Sequence, residues 1–172
     1  MVADSSFYLC FLEDIESPQY LLSMLSQFDF VMPPLVLEEV RRCRNYSMLG
    51  VDPGIKLTDP DFESREILRP LFSVDQWRKG EAESIALAHS MQLSGVLWKL
   101  ILDDTQARTF VERILPSLSE FMTGTLGFIA ICYETRIFSQ GDSLTIIALI
   151  EKSPFRTSGE VLSTVRRQIQ GL

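Results

Sequence analysis

The chain has 172 residues, 46 % of them apolar and 23 % charged, and a formal net charge of −7. This length suits one domain around a single extended core, and this composition excludes a disordered or fibrous chain. No apolar run approaches the roughly 18 residues that span a bilayer, and the first residues carry Asp4 rather than the basic flank and apolar stretch of a signal peptide.

Val2-Ala3-Asp4 reads as a very short opening strand, followed by an apolar helical stretch from Phe7 to about Leu12 and a second helix through Tyr20–Leu25. Phe28–Met32 alternates and is aromatic and β-branched, which predicts a strand. Pro33-Pro34 opens a helix, since proline is tolerated at the first helical position, and Val36, Val40 and Cys43 share one of its faces. Residues Asn45–Pro60 are rich in Gly, Pro and Asp and predict a long loop, with room for one short strand at Ile55-Lys56-Leu57. Phe62–Phe72 predicts a short helix ending near Pro70. Gly80 precedes a helix over Glu81–Leu93, in which Ala82, Ile85, Ala86, His89 and Leu93 share a face. Val96–Leu102, apolar except for Lys99, predicts a central strand. Thr105–Leu115 is helical with Pro116 closing it, Phe121-Met122 a last short strand, and Leu126 to about Ile137 an apolar helix. Two further helices fall near Leu144–Ile150 and Gly159–Ile169.

Strands alternating with helices predict an α/β fold with a mostly parallel central sheet covered on both faces. The expected organisation is one domain over residues 1–172, with C-terminal helices at about 141–170 appended to it. Cys10, Cys43 and Cys132 lack metal-ligand spacing, and their odd number closes no disulfide framework. They read as reduced, buried thiols of a cytoplasmic protein. The acidic balance counts mildly against a nucleic-acid partner, although metal-binding carboxylates would themselves create much of the excess.

Four acidic points carry the chemistry, each placed where an apolar run stops: Val-Ala-Asp4, Leu-Val-Leu-Glu38-Glu39, Gly80-Glu81-Ala-Glu83 and Leu-Ile-Leu-Asp103-Asp104. In a parallel α/β sheet, ligands bind outside the carboxyl ends of the strands. Carboxylates converging there repel one another unless a cation lies between them. Oxygen ligation without His or Cys suits Mg²⁺ or Mn²⁺, the ions of phosphoryl chemistry.

The same segments carry a resemblance. Val-Ala-Asp4-Ser-Ser, Pro33 through Glu39-Val40, Gly80-Glu81-Ala-Glu83-Ser-Ile-Ala-Leu-Ala, Asp103-Asp104-Thr-Gln-Ala-Arg108, Gly124-Thr125-Leu126-Gly127 and Phe155-Arg156-Thr-Ser occur in that order along essentially the whole chain. Together they resemble the PIN-domain nucleases, in particular the VapC-like branch of ribonuclease toxins. The resemblance implies a three-layer α/β/α PIN-like fold and Mg²⁺- or Mn²⁺-dependent cleavage of RNA. In such enzymes the ion orients a water for in-line attack on phosphorus and stabilises the departing 3′-oxygen. It also implies a protein antitoxin as partner and a homodimer. The residues carried over as catalytic and metal-holding are Asp4, Glu39, Glu81 and Asp104.

Each of these positions also has a plainer reading. Asp4 is a metal ligand or a helix cap, and Ser6 either contacts a ligand or Asp4 or caps the same helix. Glu38, with Arg41 and Arg42 at i+3 and i+4, is the natural surface ion-pair member, which favours Glu39 as the inward acid. Glu81 and Glu83 cannot share one helical face, so Glu83 stands as the alternate to Glu81, and both suit a helix first turn. Asp103 is the alternate to Asp104, capping the helix or binding a second ion. Arg108 contacts a scissile phosphate or pairs with Glu112, and Thr125 donates to a phosphate or an acidic ligand or is a helix cap. The Asn45–Pro60 loop and Arg41, Arg42, Arg44 and Arg108 are the places to look for RNA contacts. His89 reads as core or edge packing rather than a catalytic base. The competing functions are a catalytically inactive PIN-like interaction module and a metal-dependent phosphatase.

Overall fold

Among the residues described by the computed structural model, 1–50, 54–73 and 79–171, five strands form one sheet in which every pairing is parallel. They are β1 (Val2–Ala3), β2 (Phe30–Met32), β3 (Ile55–Leu57), β4 (Leu100–Ile101) and β5 (Met122–Thr123), in the spatial order β3-β2-β1-β4-β5. The expectation of a mostly parallel α/β sheet is met. Residues 51–53 of the expected Asn45–Pro60 loop lie outside the described residues; the strand within that loop forms as β3.

The helices are α1 (Ser5–Leu9), which runs into a π-helical turn at Cys10–Asp14, α2 (Pro18–Leu25), α3 (Pro34–Arg41), α4 (Phe62–Leu68) and α5 (Gly80–Leu93). Then come α6 (Thr105–Ile114), α7 (Pro116–Ser119), α8 (Thr125–Glu134), α9 (Gln140–Lys152) and α10 (Gly159–Gln170).

Strand alternation divides the core between the two faces of the sheet. Ala3, Phe30, Met32 and Ile101 join an apolar cluster with α1, α2, α3 and α8. Val2, Val31, Leu100 and Leu102 join another with Leu68, Ile85, Leu87, Val111 and Leu118 from α4 to α7. In the first cluster Phe7 stacks on Phe30 at 5.5 Å and meets Phe128 edge-on at 5.8 Å. Burying each such ring contributes roughly 1.5–3 kcal/mol. The last two helices belong to this cluster through Ile146, Ile147, Ile150, Leu162, Val165 and Ile169. No helix among the described residues is long and apolar enough to cross a membrane.

Two expectations need correction. The strand expected over Val96–Leu102 shrinks to Leu100–Ile101, because its neighbours β1 and β5 offer only two residues each, and Val96 and Trp98 remain 63 % and 43 % exposed. Helix α5 does not bury one face only. It contacts α3, α4, α6, α7 and β1, so Ser84, Leu87 and Ala88 are buried as well, whereas Leu93 at its end is 62 % exposed. The helix expected over Thr105–Leu115 ends at Ile114, ahead of Pro116 as expected, since the residue before a proline is turned out of the helical region. Pro116 in addition opens α7 at its first position, where its missing N–H costs nothing.

Candidate functional site: carboxylates at the ends of β1 and β4

The register of β1 on β4 sets Ala3 beside Ile101, so the residues that follow both strands emerge side by side. Asp4 donates its amide to Ile101 O at 3.1 Å, and its side chain takes two amides: Phe7 N to Oδ1 at 3.2 Å and Asp103 N to Oδ2 at 3.4 Å. The first makes Asp4 the N-cap of α1. The second ties the two strand ends together. Asp4 is fully buried; burial first, then the charge of Asp103, push its carboxyl well above the usual carboxylate range, with Glu81 adding to the effect.

Asp103 uses both of its oxygens on the first residue of α8. Thr125 N donates to Oδ1 at 2.9 Å and the Thr125 hydroxyl to Oδ2 at 2.5 Å. Burial raises this carboxyl too, against those two bonds and the nearby Arg108 guanidinium. The approach depends on Gly124, where a Cβ would lie 2.9 Å from Asp103 Oδ1. Arg108 does not pair with Glu112: its Nη1 donates to Leu102 O at 3.0 Å, closing the end of β4 beside Asp103.

Asp104 is exposed and caps α6, accepting from Ala107 N at 2.8 Å. The inward acid of the pair is therefore Asp103, and the helix-capping one is Asp104. Glu81, on the first turn of α5, is half-buried; burial raises its carboxyl and the charges of Glu39 and Asp104 raise it further, with Lys79 opposing.

Glu39 and Glu83 do something else. Glu39 Oε1 accepts from Gly80 N at 2.9 Å, at the start of α5, and Glu83 Oε2 accepts from Leu35 N at 2.6 Å, at the start of α3. Each helix thus caps the other, and Glu83 Oε1 also meets Arg65 at 3.5 Å. Glu38 is exposed, and Arg44 pairs with Glu16 on the surface at 2.5 Å. His89 sits away from these acids, where its Nδ1 lies 2.9 Å from the Ser64 hydroxyl and joins α5 to α4.

A cleft of about 300 Å³ opens over the strand ends, walled by Glu81, Asp103 and Asp104 together with Ser6, Glu13, Asp14 and Arg156. Asp4 lies behind this wall, and neither Glu39 nor Glu83 lines it. Glu13, Asp14 and Arg156 were not assigned to the site from the sequence. Phe11-Leu12-Glu13-Asp14 nonetheless repeats the pattern of an apolar run ending in an acid pair, and the π-helical turn swings that pair towards Glu81 and Asp103. Among the described residues, no three His, Cys, Asp or Glu side chains converge as a group that could hold a metal ion. The donors present, carboxylates and hydroxyls, are those of a hard divalent cation. No family model, no curated protein and no solved structure matches this chain.

Proposed function

We infer that the chain is a metal-dependent endoribonuclease with a three-layer, PIN-like fold, its cation held by Asp4, Asp103, Glu81 and Asp104. The observation that supports this most is the Asp4–Asp103 pair, one fully buried and one partly buried carboxylate at the ends of adjacent parallel strands with Glu81 beside them. Such a group is stable at neutral pH when protons or a divalent cation offset the repulsion. Bound Mg²⁺ or Mn²⁺ supplies Lewis acidity to a phosphodiester in the cleft. The protein's part is to fix Asp103 through Thr125 and Asp4 through the Phe7 and Asp103 amides, so that neither carboxylate has to be ordered on binding. Glu39 belongs to the scaffold in this reading, because its carboxylate fixes the turn that bears Glu81. The resemblance to VapC-like toxins supplies the biological setting, with a protein antitoxin encoded alongside and a homodimer as the assembly.

The test is Mn²⁺-dependent cleavage of single-stranded RNA by the wild type, Asp4→Asn and Asp103→Asn. Both variants are expected to lose about a hundred-fold or more. Undiminished cleavage in both would remove the assignment.

A second reading, a PIN-like interaction module that cuts nothing, draws support from the same geometry. Thr125 occupies both oxygens of Asp103 and Gly80 occupies Glu39, and no group among the described residues gathers as a metal site. Calorimetry with Mn²⁺ separates the two: binding that disappears in Asp103→Asn favours the nuclease, and no heat of binding favours the module.

A further inference from the structure

Beside the acidic cleft lies a second cavity of about 430 Å³, and the two share Asp103 and Arg156 in their walls. Their charges differ sharply. The cleft presents five carboxylates and one guanidinium, whereas the neighbouring groove presents Arg108 and Arg156 with Asp103 as the one acid among its described lining. Thr123, Thr157 and Ser158 add hydroxyls, and Gly124 lines the groove between Asp103 and Arg108. Arg108 is held at its guanidinium and Arg156 through its backbone segment. Arg108 is anchored by its bond to Leu102 O. Arg156 sits on the connection from α9 to α10, which is held by Phe155 against the core and by the Phe155 N to Ser153 Oγ bond at 3.1 Å.

We propose that this groove is a phosphate subsite that holds the backbone of an RNA strand next to the bond lying in the acidic cleft, with Arg108 and Arg156 as its cations. The ligand's identity rests on the nuclease reading above. A small phosphoester would occupy the cleft alone and have no use for a second cationic groove. A polynucleotide needs one, because the five acids at the cleft of a chain of net charge −7 repel its backbone there. Arg156, shared by both cavities, stands where the strand passes from one to the other. Guanidinium groups suit this task, since each offers paired donors to phosphate oxygens.

The experiment is fluorescence anisotropy with a labelled single-stranded RNA of about twelve nucleotides, in EDTA so that no metal contributes, over a range of salt concentrations. Arg156→Ala should weaken binding about ten-fold and lower the salt slope by about 0.7, the loss of one phosphate contact on a single strand. Arg156→Glu should weaken it further, and Arg113→Ala, exposed on α6 outside both cavities, should stay within about two-fold of wild type. Equal affinity and slope in wild type and Arg156→Ala overturn the subsite even if RNA is cleaved, and so does a wild type that does not bind the RNA. Binding that depends on Arg156 without any Mn²⁺-dependent cleavage leaves the subsite standing and sinks the nuclease reading alone.

Discussion

The carboxylate of Glu39 accepts the amide hydrogen of Gly80 at 2.9 Å, across 41 residues of chain. Gly80 has room for nothing larger, since a Cβ there would lie 2.6 Å from Glu39 Oε2 and 3.0 Å from Val36. Helix α5 therefore starts where a side chain of α3 tells it to, and Glu81 follows one residue later.

Glu39→Ala should cost about 1 kcal/mol, the usual effect of losing a helix cap, while Glu39→Gln keeps an oxygen acceptor and should cost much less. Urea unfolding midpoints at neutral pH check this. Equal losses in the two variants would show that the charge matters and the cap does not.

At Gly124 the close contact is with an acid that cannot move aside, because Thr125 holds both of its oxygens. Gly124→Ala should lower stability by about 1–3 kcal/mol through overpacking and weaken Mn²⁺ binding by displacing Asp103. Thermal unfolding and Mn²⁺ titration read the two effects separately. A variant as stable as wild type would mean that the backbone yields there.

Asp4 gives a pH signature whose sign follows from its raised carboxyl. The folded state holds the proton more tightly than the unfolded chain, whose Asp titrates near about 3.9. The proton's contribution to stability is therefore complete below about pH 4 and is lost as pH rises through the folded value. Asp4→Asn keeps a side-chain oxygen for the Phe7 amide, gives up the acceptor that Asp103 N uses, and removes the titration. Without divalent ions its stability relative to wild type should rise from pH 4 to pH 7. Calorimetry across that range in EDTA measures it, and a difference that does not change with pH would contradict the argument.

Ser64→Ala removes the hydroxyl facing His89 Nδ1, far from the cleft lining. It should cost about 1 kcal/mol and leave Mn²⁺ binding unchanged. A change in metal affinity would place His89 closer to the chemistry than its surroundings do.

Asp4 and the Asp103-Asp104 pair could be placed at strand ends from the sequence because apolar runs stop at both, and a parallel sheet then brings its strand ends to one edge. Which acid of the second pair turns inward was not readable locally. Thr125, 22 residues later, and the β1 ladder decide it, and neither leaves a mark on the spacing of Asp103 and Asp104. Helical geometry did separate Glu81 from Glu83, and the structure points them at different partners. Glu39 was legible as the inward acid but not as a cap, since its partner is a backbone amide with no side chain to signal it.

The β1–β4 ladder also sets an order of events during synthesis. Asp4 leaves the ribosome about a hundred residues before Asp103, an interval on the order of five to twenty seconds at ordinary elongation rates. Through that interval β1 can pair with β2 alone, and its other edge stays open. The contact that brings the acids together thus waits on the second half of the sheet. A nascent chain paused before β4 carries Asp4 without the neighbour that makes it chemically unusual, so any activity of this edge begins only once the second half of the sheet has been delivered.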